Sequence, residues 1–423
     1  MSRALKFSLF IGAMVSLALV LVYAPGFIRP LDAAVTRKLG LAGQTLGHPV
    51  IQSLTCIALA FGIAWTTIDI NRPVFKVLVA GIALAEVFTV SALAALFGAF
   101  FSPVLPAAAV VMSFAGGFFY SRSEAGQRQR LADTSFGRRI SGPQMRALVD
   151  GNTPLDSAGR LQESTLVVAE IFNHQVLMDA LEPGDYTEVS NRFLNAIAET
   201  LVERSGTLAA CDGEGVRVLF GAPLPIADHA SIACRATLEA ARRVRAMNDD
   251  LAKEHDGLTC DVRLGVNSGE MAVGFFGARR LGGFGAAGEE VAFARRLCAA
   301  NLIYGSTVLI GAQTFEMAES AVEARPLELL RRRLGDSWHE VYELLGEPQD
   351  LSPEELSRRD LFWTGVIFYR EKRLADALEK FSQARLPDGK PDAPLDFYIQ
   401  RIKGLQHNNA TTEFETARLL NSL

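Results

Sequence analysis

Gly206-Thr-Leu-Ala-Ala-Cys-Asp-Gly-Glu-Gly-Val-Arg-Val-Leu-Phe220 is the stretch on which the fold turns. Two short apolar runs flank Asp212-Gly213, a dipeptide that favours a tight reversal, so the stretch predicts a β-hairpin. Upstream, Tyr186, Val189, Phe193, Ile197 and Leu201 recur at helical spacing, and Leu166-Val-Val-Ala-Glu-Ile-Phe172 reads as a buried strand. Downstream, a long helix is predicted over about 228–252. Cys260-Asp-Val-Arg-Leu-Gly-Val266 and Met271-Ala-Val-Gly-Phe275 read as two strands, Glu289 to Ala300 as a helix, and Thr307–Ile310 and His339–Leu345 as closing strands. The order is βαββαβ with additions, the ferredoxin-like split βαβ layout of an α/β domain. Such a fold names no function by itself.

The 423 residues suffice for about three units. Lys+Arg number 42 against 47 Asp+Glu, a net charge of −5, which argues against a basic nucleic-acid binder. A hydrophobic fraction of 49% excludes disorder as the main state. None of the five cysteines forms a C-x-x-C pair, so neither a zinc ribbon nor a disulfide scaffold is indicated.

Apolar residues concentrate at the N-terminus. Ala4 to Tyr23 is apolar apart from Lys6 and two serines, long enough for roughly 30 Å of helix. A signal peptide is the competing reading, opposed by the weak cleavage site and by the apolar runs that follow. Those runs are Val50–Ile68, Val74–Phe97 and about Pro103–Tyr120, the last two forming a hairpin. Arg122, Arg128, Arg130, Arg138 and Arg139 follow the fourth run, and Arg3 and Lys6 precede the first. By the positive-inside rule both flanks are cytoplasmic, which four spans satisfy. Arg29, Arg37 and Lys38 in the loop 24–48 disagree, which leaves three spans open. The organisation expected is a transmembrane domain at 1–120, a linker at 121–160, an α/β domain at 161–346 and a helical tail at 355–406. Glu86 lies inside the third span, either as a functional group or as a protonated carboxyl facing a neighbouring helix.

Several stretches of the soluble part together resemble one family. They are Phe136-Gly-Arg-Arg-Ile-Ser, Leu219-Phe-Gly-Ala-Pro-Leu-Pro225 with Asp228-His-Ala230, Gly265-Val-Asn-Ser-Gly-Glu-Met-Ala-Val-Gly274, Gly288-Glu-Glu-Val-Ala-Phe-Ala-Arg-Arg-Leu297 and Val341-Tyr-Glu-Leu-Leu-Gly346. In that order they resemble the catalytic domain of class III adenylate and guanylate cyclases over residues 134–346. The resemblance implies attack of a ribose 3′-hydroxyl on the α-phosphate of a nucleoside triphosphate such as ATP, helped by two metal ions. It implies a site shared by two chains, a homodimer or a heterodimer with another cyclase-type chain. One chain gives the metal carboxylates and the other the purine and ribose contacts. Magnesium or manganese is the cofactor if the site is active, and otherwise none.

Carried over by position, the metal aspartates fall on Glu170 and Glu214. Each keeps a carboxylate but adds a methylene, which moves its oxygens by roughly 1 Å, and magnesium tolerates little geometric error. Asp212 is a nearby alternative that the spacing to Phe220-Gly-Ala-Pro disfavours. The phosphate-cradling turn becomes Asn173, His174 and Gln175, with Asn173 where the family has glycine. The purine-reading lysine falls on Ala210, its polar companion on Gly285 and the ribose asparagine on Ala292. The catalytic arginine remains as Arg296. Arg331, Arg332 and Arg333 lie near a phosphate-facing position, or else form a solvated face. Leu361 to Ala384 resembles one tetratricopeptide unit, with a third helix at Phe397–Leu405. A single unit has no core of its own and should pack on the α/β domain or on a partner. Three functions follow: an impaired regulatory homologue, an active adenylate cyclase, and a metal-side subunit completed by a different, intact chain. A multi-pass protein of the inner membrane, its α/β domain cytoplasmic, is expected in each case.

Overall fold

The computed structural model describes all residues except 1–2, 24–29, 32–33, 35–36, 38–44, 47–48, 71, 98, 152–158, 278–282, 332–337, 386–390 and 409–423. The chain divides into two compact units, Met1–Leu131 and Ala132–Leu423.

In the first unit, α1 (Arg3–Tyr23), α2 (Pro49–Asp69), α3 (Pro73–Leu96) and α4 (Val104–Arg122) are each long and apolar enough to cross a membrane. They coincide with the four expected spans. A two-residue parallel pairing joins Thr45–Leu46, before α2, to Ala99–Phe100, after α3. These two loops therefore share a side, as an up-down-up-down order of four spans requires. Val15, Leu19, Cys56, Ala60, Leu105 and Ala109 pack α1, α2 and α4 together. Lys76 is buried and donates to Ser121 Oγ at 2.8 Å, and Ser121 in turn donates to the Thr67 carbonyl at 3.3 Å. These bonds tie α2, α3 and α4 at one end. Glu86 does not face a neighbouring helix of this chain; it is exposed on α3.

The second unit is built on an eight-stranded sheet: β1 (Arg160–Ile171), β2 (Thr207–Cys211), β3 (Gly215–Phe220), β4 (Val262–Phe276), β5 (Gly283–Ala287), β6 (Val308–Gly311), β7 (Glu323–Arg331) and β8 (Trp338–Gly346). The order is β2-β3-β1-β4-β6-β8-β7, with β5 paired to β4 off this path. The helices are α5 (Glu124–Ser135), α6 (Gly142–Asp150), α7 (His174–Ala180), α8 (Pro183–Glu203), α9 (His229–Glu254), α10 (Glu289–Tyr304) and α11 (Ala312–Ala318).

β1 pairs antiparallel with β3 and β4, and residues 164–169 are buried, which explains the unbroken apolar run. Its alternate residues point to two cores. Val167, Ala169 and Ile171 pack with Val216 and Phe220 against Phe193, Ile197 and Leu201 of α8 and Ala233 and Val244 of α9. Leu166 and Val168 pack with Leu219, Met271 and Val273 against Ala294 and Cys298 of α10. Gly265 permits that second packing, since a Cβ there would lie 2.4 Å from the Ala294 carbonyl oxygen. Ala132, Phe136, Ile140 and Leu148 join the same core, so this part of the expected linker packs with the sheet.

Three readings differ from the structure. The two strands at 260–266 and 271–275 are one long strand, β4, held along its length by twelve consecutive partners in β1. β5 was not anticipated, nor were α11 and β7 between the last two predicted strands.

The tail forms α12 (Pro353–Arg370), α13 (Leu374–Gln383) and α14 (Ala393–Asn408). Ser352 and Glu355 form a capping box that starts α12. Phe362, Val366, Phe381, Tyr398 and Ile402 share a core with Tyr304 of α10, Leu309 of β6, Leu327 of β7 and Val341 of β8. The tail thus packs on the sheet domain, the first of the two outcomes expected. Arg325 of β7, 9% exposed, bonds Glu343 at 2.7 Å and Asp392 at 2.7 and 2.8 Å. Arg370 bonds Glu340 at 2.5 Å and Arg401 bonds Glu328 at 2.7 Å.

Candidate functional site

The hairpin β2–β3 and the end of β1 bring the two carboxylate positions together. Glu170 pairs with Gly215 across β1–β3, and the next N–H, of Ile171, donates to the Glu214 carbonyl at 2.9 Å. Glu170 is half-buried on the α10 side of the sheet and Glu214 is exposed at the hairpin tip. Gly215 has no room for a side chain: a Cβ there would stand 2.8 Å from Glu170 Cγ. The Glu170 side chain lies over that glycine.

Asp212 serves the turn rather than a ligand set. Its Oδ1 accepts the N–H groups of Glu214 (3.1 Å) and Gly215 (3.0 Å), and its Oδ2 pairs with Arg217 Nη2 at 3.2 Å. The two carboxylates Glu170 and Glu214 suit a hard divalent cation whose other ligands are water and phosphate oxygens. Among the described residues no group of three or more His, Cys, Asp or Glu side chains is arranged to hold a metal.

Burial raises the pKa of the Glu170 carboxyl above the ordinary value. Arg295 and Arg217 pull it back down, and Asp212 and Glu214 push it further up. The sign has a consequence for stability. A carboxyl with a raised folded-state pKa binds its proton more tightly when folded, so its ionisation weakens the fold as pH rises through and above the ordinary carboxylate range. Glu170→Gln is therefore expected to raise the melting temperature at pH 8 and to change it little at pH 4. Thermal unfolding of the detergent-solubilised full-length chain at both pH values checks this; equal effects at both would contradict it.

Of the positions expected to face a purine, Ala210 and Gly285 lie on neighbouring stretches of chain. Ala210 pairs with Arg217 across the hairpin. Gly285 lies in β5 opposite Gly274, and a Cβ built on it would be 4.0 Å from Ala209 Cβ and 3.8 Å from Phe276 Cδ2, ordinary contact distances. Ala292 is exposed on α10, and Arg296 is half-buried one turn on, its guanidinium 5.7 Å from the Phe293 ring centre. Space for larger side chains is thus present at 285 and 292, and none of the three residues carries a polar group.

Asn173 has a bond set that sequence spacing missed. Its Nδ2 donates to the Thr259 carbonyl at 2.7 Å, and its Oδ1 accepts the Asp261 N–H at 2.8 Å. The amide closes the turn after β1 onto the start of β4. His174 Nδ1 lies 2.9 Å from the Tyr186 hydroxyl, and Gln175 Nε2 donates to Asp179 at 2.8 Å. All three side chains of the expected phosphate turn are engaged by the protein itself. Of the arginine cluster, Arg332 and Arg333 and the side chain of Arg331 lie outside the described residues.

No protein-family model matches the chain. Adenylate cyclase 1 of Rhizobium meliloti (strain 1021) is 26% identical over 186 residues, which cover 44% of this chain and 28% of that protein. Over its α/β domain this chain is thus similar to an adenylate cyclase. An uncharacterized protein of Mycobacterium bovis is 28% identical over 199 residues, covering 47% of this chain and 33% of that protein. The chain therefore matches a third or less of the length of these curated relatives. The crystal structure of the adenylyl cyclase CyaB from P. aeruginosa covers 46% of this chain and 100% of its own, at 22% identity and a TM-score of 0.42. The cyclase-like domain here is preceded by four candidate membrane helices and followed by the three helices of the tail.

Proposed function

We propose that this chain is a membrane-anchored cyclase homologue, its cyclase-like domain on the cytoplasmic side of the inner membrane, that does not make a cyclic nucleotide as a homodimer. It acts in cyclic-nucleotide signalling through its dimer surface, either as a regulator or as the metal-side subunit of a mixed dimer with an intact cyclase chain. The observation that carries this is the gathering of Ala209, Ala210 and Gly285 into one place with no side chain that can read a purine. Ala292 adds the loss of a ribose donor, and Asn173 commits the phosphate turn to the protein.

In the mixed dimer Glu170 and Glu214 would hold magnesium or manganese, which would supply charge neutralisation at the phosphates. The chain's own part is to present the Glu170 carboxylate over Gly215 and the Glu214 carboxylate from the hairpin tip. Arg296 belongs to the opposite half and is the one family position there that keeps its chemistry.

The test pairs this chain with an intact class III cyclase chain whose own metal aspartates have been changed to alanine. Cyclic AMP synthesis should appear when the wild-type chain is co-expressed with it and vanish with Glu170→Ala or Glu214→Ala. Synthesis indifferent to both substitutions would show that the chain contributes no carboxylate to the site.

A further inference from the structure

Arg217, Arg263 and Arg295 stand around Glu170, and their commitments differ. Arg217 pairs with Asp212 Oδ2 at 3.2 Å. Arg263, the β4 partner of Glu170, donates to Asp261 at 3.1 Å and to the Ser306 carbonyl. Arg295 is exposed and makes no hydrogen bond or ion pair among the described residues.

The packing of α10 places Arg295 beside Glu170. A Cβ on Gly265 would run into the Ala294 carbonyl oxygen and the Cys298 backbone nitrogen, so α10 lies directly on β4 there. Cys298 Sγ donates to the carbonyl of Arg263, the residue paired with Glu170, at 3.1 Å. Arg295 is one turn before Cys298 on the same face of the helix. Of the charges that act on Glu170, that of Arg295 has the largest effect. The two form no ion pair, so the guanidinium keeps its donors for another anion.

An uncommitted guanidinium beside a metal-binding carboxylate suits a metal-chelated phosphate chain. Such a ligand brings its cation to the carboxylates and offers its free oxygens to the planar fork of donors. The turn after β1 is closed by Asn173, which leaves Arg295 as the cation free to meet those oxygens. The base meets the opposite situation. Ala209, Ala210, Gly285 and Ala292 carry no polar side chain, and strong discrimination needs site groups that a wrong base would leave unpaired.

We propose that the chain binds the metal-chelated triphosphate group of a nucleotide through Glu170, Glu214 and Arg295, without preference among bases. The inference rests on the metal-side role proposed above and names what that side takes.

Titration calorimetry of the purified full-length chain in detergent, with manganese, against ATP, GTP, CTP and inorganic triphosphate tests it. All should bind within about threefold of one another, and Arg295→Gln should weaken each about tenfold, as the loss of a charge-assisted contact does. Arg295 has no partner to lose, so the substitution leaves the fold intact. Arg242→Gln, the same change of charge on α9 where Arg242 pairs with Asp350, should leave every affinity as it is. A preference of more than about tenfold for one base, affinities indifferent to Arg295→Gln, or no binding of any of these ligands would each overturn the proposal. The readout is affinity in the chain alone, whereas the mixed-dimer role is read as cyclic AMP made with a partner chain, so the two fail separately.

Discussion

Ala210→Lys, Gly285→Asp and Ala292→Asn combined in one chain are expected to yield no cyclic AMP above background. The space is available, as the contact distances at Gly285 show. The carboxylates, however, are still glutamates and the phosphate turn is still closed by Asn173. Adding Glu170→Asp, Glu214→Asp and Asn173→Gly should bring measurable synthesis back. A misplacement of about 1 Å at a reacting centre can cost about 10²-fold in rate, so the gain over the triple variant should be at least of that order. Asn173→Gly removes two hydrogen bonds to the 259–261 segment and should cost about 1–3 kcal/mol of stability. The six-fold variant should therefore melt below the triple variant while outperforming it. Product formation by membranes carrying each variant, followed by chromatography, decides this; no gain would mean that the backbone has left the catalytic arrangement.

The second large effect is structural. Arg325→Met should destabilise the cyclase-like unit by about 3–5 kcal/mol, because it strands Glu343 and Asp392 without their partner. Burial already pushes the Glu343 carboxyl up and Arg325 holds it down. Without the arginine the carboxyl should take a proton more readily, so the loss of stability should shrink at low pH. Trp363, 6.1 Å from Tyr342 between ring centres, reports the tail in fluorescence melts of the full-length chain. A variant melting like the wild type at pH 7 would show that the tail is held by its apolar core alone. Glu343→Gln added to Arg325→Met should recover part of the loss.

What could be read from the sequence was local. The hairpin at Asp212-Gly213, the helices at 183–203 and 229–254 and the four apolar spans announce themselves within windows of a few turns. The strands that escaped notice depend on distant partners. Glu323-Ala-Arg-Pro-Leu-Glu-Leu-Leu-Arg331 carries a proline and four charges, and it becomes a strand because β8 and the tail cover it. Gly283-Phe-Gly-Ala-Ala287 has no β-branched residue and is held by β4. At the site, the positions of Glu170, Glu214, Ala210 and Gly285 were legible as positions in a motif. Their surroundings were not: Asn173 bonds residues more than 80 positions away, and the dependence of Glu170 on Gly215 is a contact between strands. The facing of α3 was not legible either: Lys76 is inside and Glu86 outside. Only the packing of neighbouring helices decides which face turns in.

The central claim is that the homodimer lacks a working purine side. It is tested most directly by incubating the purified full-length wild-type chain with ATP and either magnesium or manganese and measuring cyclic AMP. The account predicts no product above background with either metal. Robust manganese-dependent synthesis by the wild-type chain alone, lost in Arg296→Ala, would contradict it.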